Sequence, residues 1–286
     1  MTDISGTPEL LEMCWRSLIL GLIQGLTEFL PISSTAHLKA VPEILGWGDP
    51  GVSTTAVLQL GSIVAVLTYF WKELKGAWKQ VYESLKRNKL KGPNPNLGIA
   101  IIIGTLPIII AGVSIKLFWP NFENSSLRSI PSIAIVSIFM ALLLAWSEKV
   151  SAKKKRLYQI SIKDGFIIGL SQIFALVPGV SRSGITLSTS LMRGWRREDA
   201  ARFSFLLSIP AISISGLAEL SNALRIEGEI GMNVLPTITG ILSAAIVSWV
   251  SIDWLLKYLQ RNNMWIFVFY RLIFGLSLLH WWLNLK

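Results

Sequence analysis

The chain is short of charge. Of its 286 residues only 15% are Asp, Glu, Lys or Arg, while 52% are hydrophobic. A water-soluble domain carries roughly a quarter charged residues, so the deficit excludes an ordinary soluble globule and points to lipid. Histidine is scarcer still, at two, and Cys14 is the single cysteine. One cysteine excludes an internal disulfide, and no His and Cys cluster stands at zinc spacing. Acidic residues number 17 against 27 basic ones, a formal net charge of +10. The Lys and Arg fall in a few short loops between apolar stretches, where they set topology and touch anionic lipid; this argues against a nucleic-acid partner. The first fourteen residues hold Asp3, Glu9 and Glu12 and no Lys or Arg, which does not suit a cleavable signal peptide.

What is abundant fits a bilayer. Twelve Trp and twelve Phe suit a protein with two membrane interfaces. Six stretches are apolar enough to cross roughly 30 Å of hydrocarbon at about 1.5 Å per residue, near 52–71, 97–117, 130–149, 201–220, 235–257 and 264–284. Two further apolar stretches are interrupted. Residues 15–43 break at Pro31 and run on through Ser33, Ser34 and Thr35; residues 162–195 break at Pro178-Gly179 and continue through Ser181, Arg182 and Ser183. Irregular backbone at membrane depth survives only where protein or a wet cavity satisfies it, so both are expected to be re-entrant helical hairpins.

The broken stretches also match each other. GLIQGLTEFLPISST starts at Gly21 and GLSQIFALVPGVSRS at Gly169; Gly21 and Gln24 fall on Gly169 and Gln172 at an offset of 148, and Pro31 and Ser34 on Pro178 and Ser181 at 147. The expected fold is an all-α membrane protein, a single polytopic domain whose repeat halves span about 15–149 and 162–284. Each half holds one hairpin and three spans, and an odd span count inverts the second copy. With loop 72–96 on the cytoplasmic side, the loops of that side carry 19 Lys and Arg and the opposite side six. This bias supports the orientation and brings the two hairpins in from opposite faces, so that their tips meet near the midplane. Loop 72–96 has Leu74, Trp78, Val81 and Leu85 at helical spacing among Lys72, Lys75, Lys79, Lys86 and Arg87; a solvated topogenic loop is the favoured reading, an amphipathic surface helix the other.

The polar residues of the hairpins are chemically complementary. In the first, Gln24 and Glu28 are i and i+4 and share a helix face, Ser33 and Ser34 follow the break where a hydroxyl can cap the next half-helix, and His37 lies one turn on. A carboxylate at this depth is costly and needs a partner such as a cation. In the second, Gly179 and Gly184 flank Ser181, Arg182 and Ser183, with Thr186 beyond. Backbone N–H groups can there turn to a ligand at the head of a half-helix, and the Arg182 fork suits phosphate oxygens. With no acidic neighbour in its own segment, Arg182 calls for an anion from outside, unless an acid elsewhere in the bundle pairs with it. Acid, imidazole and hydroxyls against a cationic cradle describe a phosphoryl-transfer site. Glu28, with Gln24, could hold a divalent ion such as Mg²⁺.

GLTEFLPISSTAH, with Gln24 four residues ahead of Glu28, together with PGVSRSG resembles the two signature motifs of the undecaprenyl-diphosphatase (bacitracin-resistance) family, and FSFLLSIP from Phe203 extends the likeness to nearly the whole chain. The resemblance implies a polyprenyl diphosphate lipid as substrate, dephosphorylation of undecaprenyl diphosphate to the monophosphate carrier, metal dependence, bacitracin resistance and a place in the bacterial inner (plasma) membrane recycling peptidoglycan precursors. The family has Glu or Gln at the leading position; Gln24 is the neutral choice and leaves Glu28 as the motif's only carboxylate. Two routes stay open: Ser34, activated by His37, attacks phosphorus, or His37 and Glu28 activate a water. A transporter or flippase for such a lipid is the alternative function, since crossed hairpins in inverted repeats are transporter anatomy.

Other polar residues have plainer expected roles. Asp253 and Arg271 come to similar depth in the last two spans and are expected to form an ion pair. Asp164 is expected to cap the entry to the second hairpin, Gly21 and Gly25 to serve helix packing, and His280 to join the Trp281 and Trp282 interfacial belt. Glu219, Glu227 and Glu229 are placed in an outer loop with no role.

Overall fold

The computed structural model describes residues 7–87, 96–119, 121–122, 125–226 and 234–284. Among them no strand forms. The helices are α1 (Thr7–Thr27), α2 (Ser34–Ile44), α3 (Gly51–Tyr69), α4 (Trp71–Arg87), α5 (Leu97–Phe118), α6 (Ile130–Val150), α7 (Ile162–Ser171), α8 (Arg182–Met192), α9 (Arg197–Ile226), α10 (Val234–Arg261) and α11 (Trp265–Asn284). Helices α3, α5, α6, α9, α10 and α11 are long and apolar enough to span, matching the six predicted stretches to within a few residues. Their many outward Leu, Ile, Phe and Trp side chains, such as Ile110 and Phe139 at 64% exposure, face where lipid would lie.

The two interrupted stretches fold back on themselves as helix pairs, α1–α2 and α7–α8; α2, α7 and α8 have ten or eleven residues each, and α1 has 21. Helix α8 has eleven residues, about 16 Å of rise, enough to reach the middle of a bilayer and no further. The hairpin glycines explain how each pair is docked. A Cβ on Gly21 would strike the Gly240 carbonyl on α10, and one on its counterpart Gly169 would strike the Gly104 backbone on α5. Gly25 likewise lies against Ala244 and Val247, which bears out the packing role expected for Gly21 and Gly25. Each hairpin is therefore pressed into the middle span of the other half, and the halves interlock.

Cap geometry corrects the repeat register. Ser33 caps α2 and Ser181 caps α8, at φ 76° and φ 71°. The Ser33 and Thr35 hydroxyls touch at 3.1 Å, as do those of Ser181 and Ser183. The offset is 148 throughout, so Ser34 corresponds to Arg182 rather than to Ser181. A pattern match on Pro31 and Pro178 slipped by one because the prolines are not equivalent: Pro178 falls opposite Leu30, and Gly179 takes the place of Pro31.

The hairpin bases are tied by ions. At the second, buried Asp164 joins Ser161 in a reciprocal cap, as expected, and also takes Arg193 at 2.9 and 3.0 Å and Lys155. Arg193 ends α8, so one carboxylate staples both legs of the hairpin. At the first, Asp49 receives Lys39 at 2.7 Å and Arg128 at 3.0 Å. Burial works against the Asp49 charge, but hydrogen bonds from Lys39, the Gly51 N–H and Arg128 outweigh it and hold the carboxyl below its usual range.

Three expectations change. The stretch from Trp71 to Arg87 is helical, with Leu74 and Ala77 buried, Val81 close against Gly98 of α5, and Trp71, Trp78 and Tyr82 exposed along one face. The solvated-loop reading is thus corrected there, because its apolar side has a helix to pack on; residues 88–95 lie outside the described residues. Asp253 does not pair with Arg271. It takes Lys257 at 2.7 Å and the Tyr69 hydroxyl at 3.1 Å, because equal depth on neighbouring helices does not make two side chains face each other. Glu219 belongs to α9, where it accepts from Ser53 at 2.8 Å; Glu227 and Glu229 are outside the described residues.

The crossings predict a stability contrast. Gly169→Ala should lower the midpoint of thermal unfolding in detergent sharply, by about 1–3 kcal/mol or more of overpacking. Gly76→Ala, with nothing within 4 Å of the added carbon, should leave it unchanged or slightly raised. Equal midpoints for the two variants would mean that the halves are not held by these crossings.

Candidate active site

The tips meet. Glu28 follows the last turn of α1, its N–H still bonded to the Gln24 carbonyl at 2.9 Å, and its side chain is 3% exposed. One carboxylate oxygen pairs with Arg182 from the opposite hairpin. The other accepts from the Ser34 hydroxyl at 2.6 Å and from the Gln24 amide at 2.9 Å. A second bridge between tips runs from the Ser183 hydroxyl to the Leu30 carbonyl at 2.8 Å. Arg182 therefore finds its anion inside the bundle in the ligand-free protein. Burying two charges repays its desolvation cost only when both are paired and bonded, which is the arrangement here.

The other predicted residues divide into those at this junction and those that shape it. Ser33 and Ser181 cap their helices, accepting from Ala36 N–H at 3.4 Å and Gly184 N–H at 3.1 Å. Gly179, at φ 94°, turns its carbonyl inward. Thr186 is fully buried and faces away from the junction; its hydroxyl donates to the Arg182 carbonyl at 2.8 Å and meets Ser204 at 2.5 Å, so it steadies the turn that carries Arg182. The first N–H groups of α8, on Arg182 and Ser183, have no intrahelical partner, and they leave donors at the helix head.

His37 is near the serines but not aimed at Ser34. Its Nδ1 lies 2.7 Å from the Ser33 carbonyl and its Nε2 2.7 Å from the Tyr270 hydroxyl. The base that Ser34 touches is Glu28.

Gln24 Oε1 is buried without a hydrogen-bond partner. The Gln24 amide turns its Nε2 to Glu28, and Gln172 Oε1 in the second hairpin is equally unpartnered, so it is the Glu28 carboxylate that offers the oxygen chemistry Mg²⁺ takes, with phosphate oxygens and water completing the shell. Among the described residues no group of three His, Cys, Asp or Glu gathers, so an all-protein cage is absent there. The second hairpin has no equivalent: Gln172 is its counterpart to Gln24, but Leu176 stands where Glu28 would be. The site is single although the scaffold is double.

Sequence reasoning missed what Arg271 does. Its guanidinium, on a residue 1% exposed, donates to the carbonyls of Pro31 at 3.0 Å, Gly179 at 2.6 Å, Val180 at 3.3 Å and Ser137 at 3.3 Å. One side chain thus satisfies orphaned carbonyls of both hairpin breaks. The available signal was an arginine deep in an apolar span facing two segments with unsatisfied backbone. Arg271→Met should cost several kcal/mol, at about 1–3 kcal/mol per abandoned carbonyl. It should also speed amide hydrogen exchange in both tips, near 28–34 and 177–183, with Arg271→Lys intermediate because an ammonium lacks the planar fork. Tip exchange at the wild-type rate in Arg271→Met would show that something else holds the junction.

Known proteins resemble this chain along nearly its whole length. Residues 17–277 match the family described as bacitracin resistance protein BacA. A protein of Prochlorococcus marinus (strain MIT 9303) named undecaprenyl-diphosphatase is 58% identical over 287 residues, covering 99% of this chain and 96% of the relative. One of Synechococcus sp. (strain CC9311) with the same name is 58% identical over 275 residues, covering 96% of each. With its two hairpins, six spans and the Glu28–Ser34–Arg182 junction, this chain belongs to the bacitracin resistance protein BacA family.

Proposed function

We propose that this chain hydrolyses undecaprenyl diphosphate to undecaprenyl phosphate and inorganic phosphate in the bacterial inner (plasma) membrane. The reaction recycles the carrier lipid for peptidoglycan synthesis and lowers sensitivity to bacitracin. One observation carries the reading: a single buried carboxylate is shared by a serine hydroxyl of its own hairpin and an arginine of the other.

The chemistry follows from exchanging partners. The diphosphate displaces Glu28 from Arg182, whose fork then takes phosphate oxygens together with the N–H groups at the head of α8. Glu28, released, is the base for Ser34. As Ser34 Oγ bonds to the terminal phosphorus its proton passes to Glu28, and the bond from phosphorus to the bridging oxygen breaks, so undecaprenyl phosphate leaves with the electron pair. Water then adds to the phosphoserine, Glu28 returns its proton to the departing Oγ, and both protons of the water leave with inorganic phosphate as dihydrogen phosphate. The 2.6 Å bond from Ser34 to Glu28 supports this serine route, and the engagement of both His37 nitrogens elsewhere supports a positioning role for the imidazole. Glu28, with Gln24 beside it, would hold a divalent cation such as Mg²⁺, which when bound would offset the charge of the diphosphate.

Purified protein in detergent, given undecaprenyl diphosphate and Mg²⁺, should release phosphate, and a chelator should suppress the release. Arg182→Ala and Glu28→Ala should each lose on the order of 100- to 1,000-fold or more in kcat. A phosphoserine on the peptide bearing Ser34 should be trapped in acid-quenched wild type and be missing from Ser34→Ala. Retained turnover in Ser34→Ala would remove the serine as nucleophile. No phosphate from the intact protein would turn the reading to a transporter of the lipid.

A further inference from the structure

Tyr270 lies on α11, and its hydroxyl is the partner of the one imidazole at the site. The His37 bonds decide its protonation. Its Nδ1 faces the Ser33 carbonyl at 2.7 Å, and a carbonyl only accepts, so Nδ1 carries the hydrogen. In the neutral ring Nε2 is then a lone pair, and the Tyr270 hydroxyl 2.7 Å away is its donor.

The ring is also gripped from the side. Phe274, one turn beyond Tyr270, stacks on it at 4.1 Å between centroids and 12° between planes, and Tyr270 stacks at 5.7 Å and 17°. Both come from α11, whose depth is pinned by Arg271 on the carbonyls of the two tips. The residue beside the brace is therefore the one that orients the imidazole.

What the imidazole holds matters because of peptide planarity. The Ser33 carbonyl and the Ser34 nitrogen and Cα lie in one plane, so fixing that oxygen fixes the direction from which Ser34 leaves the turn. Ser33 sits at φ 76° and ψ 98°, a region that a non-glycine residue rarely adopts and that persists only when its surroundings over-determine it.

Resting on the assignment of Ser34 as nucleophile, we propose that Tyr270 is a positioning residue: its hydroxyl, donating to Nε2, reinforces the Nδ1–H tautomer that the Ser33 carbonyl selects, and that N–H holds the Ser33–Ser34 peptide so that Ser34 Oγ lies on Glu28. A phenylalanine at 270 would keep the stack. It would lose only the donor to Nε2.

The chain has two histidines, His37 and His280, so protein labelled with ¹⁵N-histidine gives a simple spectrum, and His280→Gln assigns it. Wild type should show His37 with a protonated Nδ1 and a hydrogen-bonded, unprotonated Nε2. In Tyr270→Phe the Nε2 resonance should move to that of an unbonded nitrogen or the tautomers should mix. Its kcat should fall on the order of 10- to 100-fold, the range for loss of a partner that orients a functional histidine. KM should stay within about twofold and the unfolding midpoint near wild type, because the change removes one atom and no packing. A wild-type His37 protonated at Nε2 overturns the proposal. So does an unaltered spectrum or an unaltered kcat in Tyr270→Phe. The spectra need no substrate: a wild type that releases no phosphate overturns the reaction itself, whereas active wild type with an indifferent Tyr270→Phe overturns the positioning role alone.

Discussion

A helix that stops halfway through a bilayer leaves carbonyls without hydrogen bonds where no water is at hand to take them. Two such stops occur here, and both are answered by one guanidinium. Arg271 reaches Pro31 on one tip and Gly179 and Val180 on the other, so the two interruptions solve each other's cost only when brought together. The junction has little freedom to sit elsewhere. The glycine crossings at Gly21 and Gly169 bring the half-helices in closely, the Asp164 and Asp49 clusters hold their bases, and the arginine fixes where the ends meet.

The scaffold is repeated, while the chemistry is not. Both hairpins use the same device, a serine cap at positive φ whose hydroxyl leans on a second hydroxyl two residues on. At the next position one copy has Ser34 and the other Arg182. Where the two tips meet, these equivalent positions supply a hydroxyl and a guanidinium that converge on one carboxylate. Symmetry supplies the meeting, and the differences at equivalent positions (Ser34 against Arg182, Glu28 against Leu176) supply the asymmetry that phosphoryl transfer needs.

The ligand-free ion pair gives the site a resting state. Glu28 and Arg182 neutralise each other in the ligand-free protein, and in the proposed reaction the binding of the diphosphate would free the carboxylate to take a proton from Ser34. The binding group and the base are thus coupled through one exchange of partners, in a pocket where each charge would be costly alone.

The sequence by itself determined the membrane class, the six spans, the two broken hairpins, and Glu28, Ser34, His37 and Arg182 as the residues to bring together, because length, hydropathy, breakers and buried polar types are local properties that a linear reading registers. Only the tertiary structure decided partners. It showed Arg271 serving carbonyls instead of Asp253, His37 bonding Ser33 and Tyr270 instead of Ser34, and a repeat register of 148 throughout. The reason is directional: helix rise places a residue at a depth, but which side of the helix its side chain leaves from, and what stands there, is settled by how the helices pack.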